Sequence, residues 1–200
     1  MIWRQQRDWF PIAAIVLPAA AMTALQLFSN QITNRLIFNR GDVDNGEVWR
    51  LFSCHFIHLS WQHLMLNLLG YALLFLLYPK NFLHREHGIT VFLLTILIGG
   101  SIYFLSPKID WYLGYSGVLI GLYAYFSISN IGKIRVLGSA IFFILISKII
   151  REHYLGIGTA TWLSYKMPVA VDAHLYGAVS GAVMGLVVYF KRQRRNQNST

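Results

Sequence analysis

The sequence predicts an all-α membrane protein, a bundle of six transmembrane helices with both termini cytoplasmic, and three observations carry that expectation. The 200-residue chain is 56% hydrophobic and 12% charged, with a mean hydropathy of +0.48, too apolar for a soluble domain of this size. Its apolar runs, bounded by charges or by glycine and proline, fall at about 10–28, 61–79, 89–106, 115–132, 134–150 and 168–190. Each is close to the ~20 residues that cross roughly 30 Å of hydrocarbon. The basic residues, finally, divide unevenly between the two sides that six spans create.

The first span follows Arg4 and Arg7 and contains Ala19-Ala20-Ala21, a pattern shared with cleaved signal peptides. The apolar stretch continues through Leu25, Leu27 and Phe28, which makes an uncleaved spanning helix the preferred reading. The connection to the second span is the longest loop, and its Trp49, Phe52, Phe56 and Trp61 suit a structured segment lying at the interface. On the terminal side lie Arg4, Arg7, Lys80, Arg85, Lys133, Arg135, Lys191, Arg192, Arg194 and Arg195. The other side has Arg35, Arg40, Arg50, Lys108, Lys148, Arg151 and Lys166, in longer loops. The positive-inside rule then puts both termini in the cytoplasm. The acids follow, with Asp8 and Glu86 inside and Asp42, Asp44, Glu47, Asp110, Glu152 and Asp172 outside or near that edge. The net charge of +9 is therefore a topology signal, and no nucleic-acid partner is expected. Residues 1–190 read as one transmembrane domain and 191–200 as a basic, polar, unfolded cytoplasmic tail. With no organelle signal evident, the inner (plasma) membrane of a prokaryote fits best. The single cysteine, Cys54, excludes an internal disulfide and a multi-cysteine metal site; no metal or cofactor is expected.

Polar groups are costly in hydrocarbon, so those inside spans are candidates for function. They include His63, Asn67, Ser116, Asn130, Lys148, Asp172 and His174. His63 and Asn67 stand four apart and share one helix face; they could equally be interhelical glue. Ser116 lies in Gly114-Tyr115-Ser116-Gly117 where the fourth span begins, so free backbone N–H groups and the positive dipole end favour a developing oxyanion beside it. Small residues at a helix start also serve plain packing. His174 shares a stripe with Gly177, Gly181 and Gly185 that lets another helix approach closely. A buried neutral imidazole is what a serine needs as general base, and a His/Asn pair can donate to a tetrahedral oxyanion. Asp172 is two residues from His174, about 200° around a helix, so a Ser/His dyad fits better than a triad through it; a carboxylate there suits the helix dipole.

Other intramembrane chemistries fit less well. A zinc protease would want His-Glu-x-x-His, which is absent, and an aspartyl protease needs two carboxylates within spans where only Asp172 qualifies. The soluble hydrolase elbow fails because Val118 stands at its last glycine and no strand is expected before it. No internal repeat of the kind transporters show is visible.

With these residues assembled, the chain resembles the rhomboid intramembrane serine proteases over nearly its whole length. The matching motifs are Trp49-Arg50, then His58, His63 and Asn67 in the spacing His-x4-His-x3-Asn, then Gly114-x-Ser116-Gly117, then Ala173-His174-x-x-Gly177-x-x-x-Gly181. The longer strings Trp111 to Leu119 and Val171 to Ala178 are similar to the rhombosortase branch. The resemblance implies that Ser116 is the nucleophile, His174 its base, and His63 and Asn67 the oxyanion donors beside backbone N–H groups. It implies a rhomboid-like six-helix bundle in the lipid bilayer with Ser116 sunk below the outer surface. The rhombosortase likeness implies as partners exported proteins anchored by a C-terminal Gly-Gly motif, a hydrophobic helix and a basic end. Cleavage would release the exported domain or transfer its acyl group to another acceptor. One departure matters: Ile120 stands where many rhomboids carry Tyr, and rhombosortases often His, as a ring that packs on the catalytic histidine. Ile120 supplies contact but no ring stacking. Tyr115 is also bulkier than the residue usual there. A catalytically inactive rhomboid-like protein that binds transmembrane helices is the alternative reading.

Overall fold

A computed structural model describes residues 9–82, 86–131, 135–155 and 171–198. Helix α1 (Trp9–Leu27) leads into a folded connection made of α2 (Ser29–Leu36), β1 (Phe38–Asn39), α3 (Arg40–Asp44), α4 (Arg50–Ser53) and a 3₁₀ turn at Cys54–Phe56. There follow α5 (Trp61–Leu77), α6 (Pro79–Phe82), α7 (Glu86–Leu105), β2 (Trp111–Tyr112), α8 (Ser116–Ser129), α9 (Arg135–Leu155) and α10 (Val171–Gln197). Among these, α7 and α10 are each long and apolar enough to cross a membrane, and α4 with its 3₁₀ turn and α5 would make a third span broken by an 89° bend. Leu66, Leu69 and Leu73 on α5 and Val179, Val183 and Val187 on α10 are all exposed, an apolar surface suited to lipid rather than water.

Helix α8 is the centre of the bundle. It is buried from Gly117 through Ser129 except at Tyr123, as expected for a helix that is apolar all round. It packs against α5, α7, α9 and α10. The contact with α10 is made through backbone: a Cβ on Gly177 would lie 2.1 Å from the carbonyl oxygen of Gly117, and one on Gly181 would lie 2.0 Å from that of Gly121. The glycine stripe read from the sequence is thus a seam at which two helices touch without side chains between them. At the far end of that seam Arg192 donates to the carbonyl of Ser129 (3.2 Å), and Tyr78 shares a hydrogen bond with Ser127 (3.2 Å).

The elements differ from the sequence expectation in four places. Helix α8 has 14 residues rather than the about 18 that its apolar run suggests; at about 1.5 Å per residue it falls roughly 10 Å short of a 30 Å hydrocarbon layer. Helix α9 runs to Leu155 instead of stopping at 150, so Glu152 belongs to it rather than to an outer loop. The tail reading of 191–200 as unfolded is corrected, because α10 stays helical through Gln197; Arg194 and Arg195 in its last turn suit the negative dipole end. A short strand does precede Ser116: β1 and β2 pair antiparallel, Phe38 with Tyr112 and Asn39 with Trp111, invisible from a two-residue apolar pattern. The charges Arg4, Arg7, Asp8, Arg85, Lys133 and Lys166, used above for orientation, lie outside the described residues.

The seam makes a direct prediction. Gly181→Ala must part α8 from α10, an overpacking that costs about 1–3 kcal/mol; thermal unfolding in detergent should show a midpoint several degrees lower. A midpoint equal to that of the unsubstituted protein would mean the two backbones do not touch there.

Candidate active site

The connection between α1 and α5 is organised by two arginines. Arg50 is buried, and its guanidinium donates to the carbonyls of Asn34 (2.8 Å) and Ile37 (2.9 Å) while pairing with Asp42 (2.9 Å) and Glu47 (2.7 Å). Its neighbour Trp49 is exposed and donates from Nε1 to the carbonyl of Arg35 (3.2 Å). Arg40 donates to the carbonyls of Ile102, Tyr103, Ser106 and Ile109. These include the last carbonyls of α7, which have no partner within the helix and attract a cation. The folded connection holds the approach to α8 through the β1–β2 pair and through Gly114 N–H, which donates to the carbonyl of Cys54 (2.9 Å).

Gly114 has φ of +121°, where a side chain is strained. The face a side chain would occupy is taken by His63, whose Cε1 is 2.8 Å from the position of a Cβ on Gly114. His63 sits in the first turn of α5, capped by Ser60, whose Oγ accepts from the His63 N–H (3.2 Å). One turn on, buried Asn67 donates from Nδ2 to the carbonyl of His63 (3.1 Å). The His58 ring meets that of His63 edge-on at 4.9 Å. Tyr115 turns away into the core against Phe56 and Tyr71, which explains how a bulky residue fits beside the serine.

Ser116 is the first residue of α8. The first backbone bond into that helix runs from Leu119 N–H to the carbonyl of Tyr115, so the amides of Ser116, Gly117 and Val118 precede it and cluster at the positive dipole end. Across the glycine seam, Ser116 Oγ lies 2.8 Å from Nε2 of His174, itself buried. The sequence-predicted residues are therefore brought together in one region, with Ser116 and His174 in direct contact, His63 packed on Gly114 and Asn67 tied to His63. Gly117, Gly177 and Gly181 form the seam. Asp172 is not at the histidine: its carboxylate accepts from Ser106 Oγ (2.5 Å), and Ser106 also meets the Tyr176 hydroxyl (2.7 Å).

Glu152, which the sequence did not single out, and Lys148, which it did, also reach the site. Glu152 Oε2 lies 2.7 Å from Nδ1 of His174, with its side chain wholly buried. Its other oxygen pairs with the ammonium of Lys148, which is also 3.2 Å from His174 Nδ1. The sequence placed Glu152 outside or near the outer edge and gave it no contact with the histidine; α9 continues about a turn beyond its apolar run, which buries the carboxylate against His174. The visible signal for Glu152 was Lys148-x-x-x-Glu152 on one helix face, which the sequence reading did not use as a pair. Among the described residues no three His, Cys, Asp or Glu side chains are grouped to hold a metal ion.

A family model for the rhomboid domain matches residues 45–191, most of the chain, including His63, Asn67, Ser116, Lys148, Glu152 and His174. The chain belongs to the rhomboid family. Along 93% of its length this rhomboid is 24% identical to a Bacillus subtilis (strain 168) protein named "Putative rhomboid protease YdcA", of which the alignment covers 92%. Rhomboids are integral membrane proteins and generally serine proteases that act on transmembrane substrates in the bilayer.

Arg50 supplies a prediction for this region. Arg50→Ala removes the shared partner of two partly exposed carboxylates and two carbonyls, and leaving those acceptors without their donor costs about 1–3 kcal/mol. Unfolding in detergent reads that loss directly, and a shift below about 1 kcal/mol would place Arg50 among surface pairs of little consequence.

Proposed function

We propose that this rhomboid is an intramembrane serine endopeptidase in which Ser116 is the nucleophile and His174 its general base. The observation that carries the reading is the 2.8 Å approach of Ser116 Oγ to His174 Nε2. In that geometry Nε2 takes the hydroxyl proton as Oγ attacks a peptide carbonyl carbon, and the oxyanion forms beside the backbone amides at the start of α8. His63 and Asn67 donate from the α5 side. Collapse of the tetrahedral intermediate breaks the C–N bond as Nε2–H protonates the leaving amine, leaving an acyl-enzyme on Ser116. Water, or another acceptor nucleophile, then releases the acyl group with His174 again as base.

The bundle is read as six spans with both termini cytoplasmic, residues 1–190 being the transmembrane domain, in the plasma membrane of a prokaryote. Six helices of suitable order support this, namely α1, α5, α7, α8, α9 and α10. With its far end tied to α10 through Arg192, the short α8 would set Ser116 below the outer surface. For substrates we propose exported proteins with a C-terminal Gly-Gly anchor followed by a hydrophobic helix and a basic end, as in the rhombosortase branch. Glycines near the scissile bond weaken the substrate helix and expose its backbone.

A fluorescent fluorophosphonate tests the assignment on detergent-purified protein. The unsubstituted protein should label, and Ser116→Ala and His174→Ala should not, with melting midpoints kept. Folded protein that fails to label would instead support a rhomboid-like helix-binding protein without catalysis. Asn67→Ala should slow acylation by roughly 10- to 1,000-fold, the usual cost of losing one oxyanion donor. If Asn67 only glues helices, the midpoint drops while the rate per folded molecule stays normal.

A further inference from the structure

We infer that Glu152 is a positioning residue for His174: its carboxylate selects the imidazole tautomer that leaves Nε2 free to take the Ser116 proton, and Lys148 holds that carboxylate in place. The inference rests on the assignment of Ser116 and His174 as nucleophile and base.

A neutral imidazole carries its proton on one nitrogen, and the partner at the other nitrogen decides which. Among the described residues, two groups compete at Nδ1. The carboxylate of Glu152, 2.7 Å away, can only accept and requires Nδ1–H. The ammonium of Lys148, 3.2 Å away, can only donate and would require a lone pair on Nδ1. That would put the proton on Nε2, where it faces the Ser116 hydroxyl and cannot act as base. The shorter contact and the charge of the buried carboxylate favour the first arrangement. Lys148 is then drawn to the other oxygen of the same carboxylate, so both oxygens are engaged and neither ion is left unpaired in an apolar interior. When His174 takes the serine proton, the carboxylate also faces the new imidazolium, the role an aspartate plays in a serine-protease triad.

The helix that delivers these charges is seated by packing. Leu145 of α9 is buried with Ile120 and Ala124 of α8, and Ile141 and Ile149 pack on that cluster. Ile141, Leu145 and Ile149 recur every four residues, and Lys148 and Glu152 continue the same face. The charge order also speaks against a role in helix stability alone: glutamate N-terminal to lysine is the better order at this spacing, and here the lysine comes first.

The test uses tautomer logic and an isosteric substitution. In Glu152→Gln, Lys148 can donate only to the amide oxygen, so the amide NH2 faces Nδ1 and locks the unproductive tautomer. Labelling of the full chain by fluorophosphonate, separated into the maximal inactivation rate and the half-saturating concentration, should show the rate falling by roughly 100- to 10,000-fold. The half-saturating concentration should stay within about threefold, since binding of the probe is not at issue. Adding Lys148→Met frees the amide to turn its oxygen to Nδ1–H, and the double variant should recover about tenfold or more over Glu152→Gln. Recovery on removing a second native residue is not what a merely structural pair produces. If Glu152→Gln labels at the unsubstituted rate, or the double variant is no faster than the single one, the positioning role is wrong while the serine assignment stands. If the unsubstituted protein does not label at all, both fall together.

Discussion

The rest of the molecule depends on the contact of two backbones, α8 against α10, with hydrogen atoms where side chains would otherwise be. Ser116 begins one of these helices and His174 lies in the first turns of the other. Their separation is therefore set by the interaxial distance of the seam rather than by long flexible side chains. A site held by main chain in this way is preorganised in the sense that matters for catalysis, because the reacting groups need not be gathered at the moment of reaction. The surrounding features follow from it. Helix α8 must be apolar on every side because it is enclosed on every side, and the connection before α5 must clamp Gly114, since the chain turns from that glycine into the seam within two residues.

Much of this was legible in the sequence because it repeats at helical spacing. Gly177, Gly181 and Gly185 announce a stripe, His63 and Asn67 a face, and Gly114-x-Ser116-Gly117 a helix start at a serine. What escaped was whatever depends on which helix lies next to which. A charge near the end of an apolar run looks the same whether it faces water or a partner on another helix, so hydropathy marked Lys148 as a candidate and left Glu152 at the edge, without joining either to His174. The geometry around a helix did exclude Asp172 from the histidine, because that exclusion is local. Two-residue strands and the arginine-centred order of the connection are likewise products of distant pairing, which a linear pattern does not carry.

Ile120 now has a different meaning. In the resemblance this position carries a ring that steadies the histidine; here it is an aliphatic contact with Leu145 that seats α9. On the positioning role inferred for Glu152, control of the imidazole moves from stacking on α8 to a charge brought by a third helix. Stacking constrains the plane of a ring but is indifferent to which nitrogen bears the proton, whereas a carboxylate constrains both. The arrangement asks more of the bundle, because an ion pair in an apolar interior is tolerated only with every member in place.

That requirement has a consequence for descent. Loss of Glu152 alone leaves a lysine beside the histidine with its counter-charge gone, and loss of Lys148 alone leaves a carboxylate half compensated in a dry interior. Neither single substitution is a neutral step, while the loss of both passes through one of them. Substitutions at positions 148 and 152 are therefore expected to compensate one another, so that a change at one is tolerated only where the other changes with it.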